Sequence, residues 1–401
     1  MCYAGAVPRF LPFTGLRYAP SVPLERVIAP PYDVVDHRQR HILAARHPAN
    51  AIHVELPEAG REGADRYVTA AAIFQGWRAA GTLVQDERPS FSVLQMATPD
   101  GTVTNGVIGA LDCDPGSGDV LPHEQTVPKD TTDRLDLLRA CQANLSPIWG
   151  LSLTEGLGRL VRPDGPPDTE AVDDDGVSHR LWVVDDPGTM EAITAAVGSS
   201  PVVIADGHHR LQTAATFRSE QRAVRHGAGG PWDFVMALVT ELAAGELVVG
   251  PIHRTLTAPT PDVDVVSAFD RWFELIHAGP THEAVLTAVG ASRSLALVTA
   301  DDVWLLAPRP ETTATTRSDL DASVVALALG SIPGAEVAYH HRWRSAIAEV
   351  TSGRAGAAIL VRPVTVDQIA AWAHARRRMP PKSTYFSPKP RTGMVFRSVV
   401  G

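Results

Sequence analysis

The pentapeptide Asp206-Gly207-His208-His209-Arg210 puts a carboxylate, a glycine, two imidazoles and a guanidinium side by side. It follows the wholly apolar run Val202-Val203-Ile204-Ala205, which suits a strand buried on both faces, and it precedes a helix-spaced segment, Leu211 to Arg225. A strand that turns directly into a helix leaves several backbone N–H groups converging on one spot, where the helix dipole also favours negative charge. Gly207 permits positive φ or close approach of a ligand, and Arg210 can grip a phosphate through two donors. Asp206, Gly207, His208, His209 and Arg210 are therefore expected to form an anion site, with His209 also a candidate proton carrier. Two other readings stand beside it. Asp206 could simply cap an exposed helix, or His208, His209 and a carboxylate could hold a metal, although adjacent histidines point apart and rarely chelate one ion.

A second polar cluster runs from Leu121 to Asp130 and supplies His123, Glu124 and Lys129, with Arg134 shortly after. Glu124 or His123 could take a proton from a hydroxyl, while Lys129 and Arg134 could neutralise phosphate. The alternative is an exposed loop leading to a helix capped by Thr131 or Thr132. Pro251-Ile252-His253-Arg254 repeats the His-Arg pairing, either as a further anion contact or as a strand end. Two proline-anchored patches add Asp33, within Ala29 to Val35, and Lys382, within Pro380 to Phe386. Lys382-Ser383-Thr384 lacks the glycines of a phosphate-binding loop, and no GxSxG, HExxH or GxGxxG pattern occurs in a suitable context.

The elements that must position these groups are of both kinds, which predicts an α/β (mixed α+β) fold. Ala51 to Leu56, Ser90 to Ala97, Val103 to Leu111 and Leu181 to Val184 read as strands, the second and third joined as a hairpin across Pro99-Asp100-Gly101. Asp65 to Ala80 and Asp130 to Asn144 read as helices. A Gly-, Pro- and Asp-rich stretch around 156–180 reads as an exposed insertion. Beyond a linker at Ala258-Pro259-Thr260-Pro261 come helices, a hairpin over Leu295 to Leu306 and a strand at Ala357 to Val361. The expected domains are 1–257 and 258–401, with the 379–390 segment returning to the site.

With 401 residues, 44% hydrophobic and 20% charged, the chain can bury a large core. Three cysteines, Cys2, Cys113 and Cys141, form no CxxC pair, and no apolar run approaches the roughly 18 residues of a membrane span. A cytoplasmic protein without a membrane partner is expected. The net charge of −9 opposes a nucleic-acid partner, and Arg376-Arg377-Arg378 reads as a solvated helix end.

The sequence resembles a widespread prokaryotic family described as a domain of unknown function. The shared motifs are APPYDVV (29–35), HVELP (53–57), PHEQT (122–126), NLSPIWGL (144–151), ADGHHR (205–210), PIHR (251–254) and MPPKSTYFSPKP (379–390). Within it, DGHHR is similar to the phosphate-binding motif of the ParB/sulfiredoxin-like superfamily, whose members bind nucleotides and include kinases of free L-serine. The resemblance implies a ParB/sulfiredoxin-like nucleotide-binding core with an additional C-terminal α+β domain, and a glutamate acting as base, with Glu124 preferred over Glu55. Nucleotide-dependent phosphotransfer to a small hydroxylated metabolite is then the leading expectation, with ADP, ATP or CTP as nucleotide. His253, Arg254 and Lys382 would assist at the phosphates, and Mg²⁺ would be held through Asp206 or Asp33. A phosphate-ester hydrolase and a nucleotide-sensing switch are the alternatives, and a homodimer is left open.

Overall fold

The computed structural model describes residues 8–60, 63, 65–114, 119–124, 132–257 and 264–400. The chain forms two compact units, Met1–Val248 with Pro388–Gly401, and Val249–Ser387. The crossing thus lies near 248 rather than 257, and the chain comes back to the first unit at 388.

The first unit is built on a nine-stranded mixed sheet. Its order is Val120–Pro122, Val202–Asp206, Ile148–Ser152, Phe234–Glu241, Val103–Asp112, Phe91–Ala97, Ser178–Val184 and Thr169–Val172, with Phe10–Leu11 also on Val103–Asp112. Val202–Asp206 lies parallel to Val120–Pro122 and antiparallel to Ile148–Ser152. Its burial is complete from Val202 to Ala205, as an all-apolar central strand requires. Helix His208–Val224 packs Ala214 into the same core as Ile148, Val202 and Ile204. The hairpin at Pro99-Asp100-Gly101 forms as expected, Ala97 opposite Val103.

Two expectations need correction. Ala51 to Leu56 is not a strand: Ile52–Glu55 is one helical turn. The buried Asn50 side chain accepts from Ile52 N at 3.0 Å and donates to Arg26 O at 2.8 Å, which turns the chain locally, so the alternation of Ile52 and Val54 does not reach a sheet partner. The region around 156–180 is paired into the main sheet rather than inserted beside it, although most of residues 162–176 are exposed. Leu157 and Val161 are buried in the main core, and Thr169–Val172 pairs with Ser178–Val184. Its turn residues separate the partly buried helical turn Leu157–Leu160 from an exposed run and the edge strand Thr169–Val172.

A four-stranded sheet completes the first unit in the order Leu83–Gln85, Gly15–Tyr18, Phe396–Ser398 and Ala143–Asn144. The C-terminal strand is internal to it, and Phe396 is fully buried edge-on to Tyr18 and Phe74 at 5.8 and 5.5 Å. Arg397 beside it donates to the carbonyls of Phe234 and Pro231 and to Asn144 Oδ1.

The second unit carries a six-stranded antiparallel sheet, in the order Phe273–Pro280, Asp302–Pro308, Ala296–Thr299, Ala357–Leu360, His253–Thr257 and Glu336–His340. Strand alternation divides its core. Leu297 and Ile359 pack with Val324, Val325 and Ala328 of helix Asp321–Gly330, whereas Val298 and Ala358 pack with Ala346, Ile347 and Val350 of helix Trp343–Thr351. Arg376, Arg377 and Arg378 lie exposed beyond helix Val366–His374. No helix among the described residues is long and apolar enough to cross a membrane.

Removing the Phe396 ring should cost the first unit about 3–5 kcal/mol. Urea unfolding of Phe396→Ala followed by tryptophan fluorescence measures this, and a loss below about 1 kcal/mol would show that the C-terminal strand is dispensable.

Candidate anion-binding site

Strand Val202–Asp206 ends in a bulge between Ile204 and Asp206, and Gly207 then takes φ +88 as N-cap of helix His208–Val224. A Cβ on Gly207 would lie 2.9 Å from Ile148 Cγ2 and 3.1 Å from Ile148 Cα, so both the backbone angle and the packing demand glycine. Asp206 is not the cap. Its Oδ2 accepts from Arg210 Nη2 at 2.8 Å and its Oδ1 from Lys389 Nζ at 2.8 Å. Burial opposes charge on Asp206, but Lys389 and Arg210 outweigh it and hold the carboxyl below its ordinary range.

Around this turn the structure gathers several of the sequence motifs. Asp33, in the turn Tyr32–Val34, takes the other arm of Lys389, Oδ2 to Nζ 2.6 Å. Burial would lower the Lys389 ammonium, yet Asp206 and Asp33 raise it, so it stays charged. Arg210 Nη1 donates to Ser146 Oγ at 3.1 Å and to the carbonyl of Pro147. Ser146 Oγ in turn donates to Oε1 of Glu55, at 3.0 Å, and Glu55 is only 2% exposed. Arg134 donates to the Glu55 carbonyl at 2.7 Å, pairs with Asp133 at 2.6 Å and lies over the Tyr32 ring at 4.4 Å.

Glu55, Arg134, Ser146 and Arg210 line a cavity of about 50 Å³, together with Leu137, Leu138 and Thr213. That is room for a few waters or the end of a ligand rather than a whole nucleotide. Arg210 Nε and Thr213 Oγ1 are buried there with no hydrogen-bond partner among the described residues. Buried donors without partners are uncommon, and at a cavity wall they mark where a ligand's acceptors would be welcome.

His123 packs its ring 5.0 Å from His208 and bonds through Nδ1 to the carbonyl of Ile204. Burial and the neighbouring His208 push its pKa down to about 3. Its Nε2 lies 3.6 Å from Glu124 Oε2, a separation that reads as an ion pair only for a charged ring. Burial decides the matter, and the neutral form holds: Nδ1 carries the proton and Nε2 a lone pair. Glu124 is largely buried beside it. His209 is half-buried in the first helical turn.

Lys129 lies outside the described residues. His253, Arg254 and Lys382 belong to the second unit, where His253 Nδ1 accepts from Val361 N at 3.2 Å and Arg254 donates to the carbonyl of Lys382 at 3.0 Å. The divalent-ion role expected of Asp206 and Asp33 does not suit the geometry, because the two carboxylates share the Lys389 ammonium. Among the described residues no group of three or more His, Cys, Asp or Glu could hold a metal ion. Sequence reasoning did not single out Lys389, and it ranked Glu55 behind Glu124. Lys389 stands in the same C-terminal motif as Lys382, seven residues on, but only the fold reveals which lysine reaches the turn.

The fold is α/β, with a glycine-capped strand-turn-helix, Val202 to Val224, as its candidate site. The chain belongs to the family described as a protein of unknown function, DUF1015, whose model matches residues 10–323. No curated protein matches it in sequence. Among solved structures, it is similar to a conserved hypothetical protein from Pyrococcus furiosus at 13% identity and TM-score 0.36, covering 69% of this chain and 90% of that one. It is similar to a free serine kinase in complex with AMP at 13% and 0.36, covering 71% and 87%. It is also similar to C-terminally truncated SbnI from Staphylococcus aureus at 10% and 0.40, covering 71% and 85%. At these values the likenesses carry no part of the functional reading, which rests on the site's own residues.

Two outcomes follow from this geometry. Gly207→Ala should lose about 1–3 kcal/mol in urea unfolding, since it must hold a left-handed residue against Ile148; an unchanged midpoint would mean the turn relaxes freely. The neutral His123 makes stability pH-dependent. The unfolded chain binds a proton below about pH 6.5 that the folded chain refuses until about pH 3, so stability falls as pH drops through that window, by up to about 1.4 kcal/mol per pH unit from this group. Melting curves between pH 7 and 5, above the carboxylate range, should show the fall in wild type and a shallower one in His123→Gln; parallel curves would refute a neutral buried ring.

Proposed function

We propose that this protein is a nucleotide-dependent kinase for a small hydroxylated metabolite, with free L-serine the first candidate. What carries the reading is the hydrogen-bonded series Arg210–Ser146–Glu55 along one cavity wall, which sets an anion-gripping guanidinium and a buried carboxylate within reach of the same small ligand. Phosphoryl transfer asks the protein mainly for positioning and for charge stabilisation.

In this reading the nucleotide's terminal phosphates lie at the N-terminus of helix His208–Val224, against backbone N–H groups and the Arg210 guanidinium, with Gly207 allowing close approach. Arg134 adds positive charge at the cavity, although Asp133 already offsets part of it. The acceptor enters the cavity by its hydroxyl end. Glu55 orients that hydroxyl and takes its proton. We prefer Glu55 to Glu124 because Glu55 lines the cavity with Arg210, while Glu124 sits beside His123. His123, held neutral, serves to fix the end of the strand through Ile204 rather than to exchange protons near neutral pH.

Calorimetric titration with ADP, ATP and CTP, each with and without Mg²⁺, tests the first half of the proposal. Arg210→Ala should weaken binding by about 10- to 100-fold, the worth of charged hydrogen bonds to phosphate. Glu55→Gln should leave binding in place while slowing phosphorylation of serine by about 10²- to 10⁴-fold. Absence of binding by all three nucleotides would sink the kinase and favour phosphate-ester hydrolysis.

A further inference from the structure

We propose that Lys389 is the resident cation of the Asp33–Asp206 carboxylate pair, occupying within the chain itself the place a divalent metal would take, and that the pair binds no metal while the ammonium is there. This does not rest on the kinase reading.

Three of the four carboxylate oxygens in the pair are already engaged. Asp33 Oδ2 and Asp206 Oδ1 bond to Lys389 Nζ at 2.6 and 2.8 Å, and Asp206 Oδ2 bonds to Arg210. A hard divalent ion such as Mg²⁺ needs about six oxygens in a near-octahedral shell, and it would have to strip these bonds to enter. An ammonium carries three N–H donors. Two are spent on Asp33 and Asp206, leaving a third to bridge from the carboxylates to a ligand oxygen, as a bound metal would do.

The lysine does not reach the pair as a loose surface side chain. Its side chain is only 10% exposed. Two residues on, Arg391 clamps Asp173 through Nε at 2.7 Å and Nη2 at 2.5 Å, and the same Asp173 oxygen bonds His179 at 2.7 Å. Thr392 then pairs with Ala29 through backbone bonds in both directions, 2.8 and 3.0 Å, laying this segment against the proline-braced turn that presents Asp33. The ammonium is held at the pair by anchors in the neighbouring chain, the Arg391 clamp and the Thr392–Ala29 backbone bonds, not by its charges alone.

Manganese binding without any nucleotide tests the assignment, read by the electron paramagnetic resonance signal of free Mn²⁺. Wild type should show no Mn²⁺ site that depends on Asp206. Lys389→Met, which keeps length and removes charge, should gain one site per chain at least about tenfold tighter than any wild-type binding, because the two carboxylates lose their partner. Asp206→Asn added to it should abolish that site, and Lys389→Arg should gain none. A wild-type Mn²⁺ site lost on Asp33→Asn or Asp206→Asn would overturn the proposal, as would a folded Lys389→Met that gains no site. If Lys389→Met does not fold, the wild-type arm and Lys389→Arg still decide.

Discussion

Everything at the site depends on how Asp206 is neutralised. A carboxylate placed where a buried strand meets a helix start is costly unless cations surround it. Here Arg210 comes from one turn along the same helix and Lys389 from the far end of the sequence. The two cations fix opposite oxygens, which locks the carboxylate plane and frees the helix end for another anion. Asp33 and Ser146 complete the arrangement by holding the second arms of the same cations.

Charge balance then explains why a small cavity lies beside so many ionic groups. Arg210 is shared between Asp206, Ser146 and the Pro147 carbonyl, but its Nε remains over. Arg134 is similarly divided between Asp133 and the Glu55 carbonyl. Among the residues lining the cavity, Arg210 keeps its buried Nε and Thr213 its hydroxyl without a partner. A phosphate would meet donors already fixed in place, which lowers the ordering cost of binding.

Much of this was legible in the sequence, and for identifiable reasons. The apolar run Val202 to Ala205 followed by Asp-Gly and a helical period leaves few structures open, so strand, turn and helix appear where expected. Ile52 to Glu55 misled because four residues are too few to separate a period of two from a helical turn, and the deciding bonds come from the Asn50 side chain to Arg26 and to Ile52. Lys389 was invisible for a different reason. Its partners stand 356 and 183 residues away, and no local pattern encodes such a meeting. The region around 156–180 shows a third limit: turn residues report where the chain bends, not whether the segments between bends are covered.

The placement of Phe396–Ser398 between Gly15–Tyr18 and Ala143–Asn144 carries a consequence for biosynthesis. A ribosome adding about 5–20 residues each second takes about 13–50 s to pass from Asn144 to its sheet partner Arg397, 253 residues on. Through that interval the first unit lacks an interior strand of its second sheet and, until Lys389 is made, the cation of its carboxylate pair. Assembly of the carboxylate pair therefore waits on a residue made long after Asp33 and Asp206, and a chain interrupted before Lys389 leaves that pair without its ammonium.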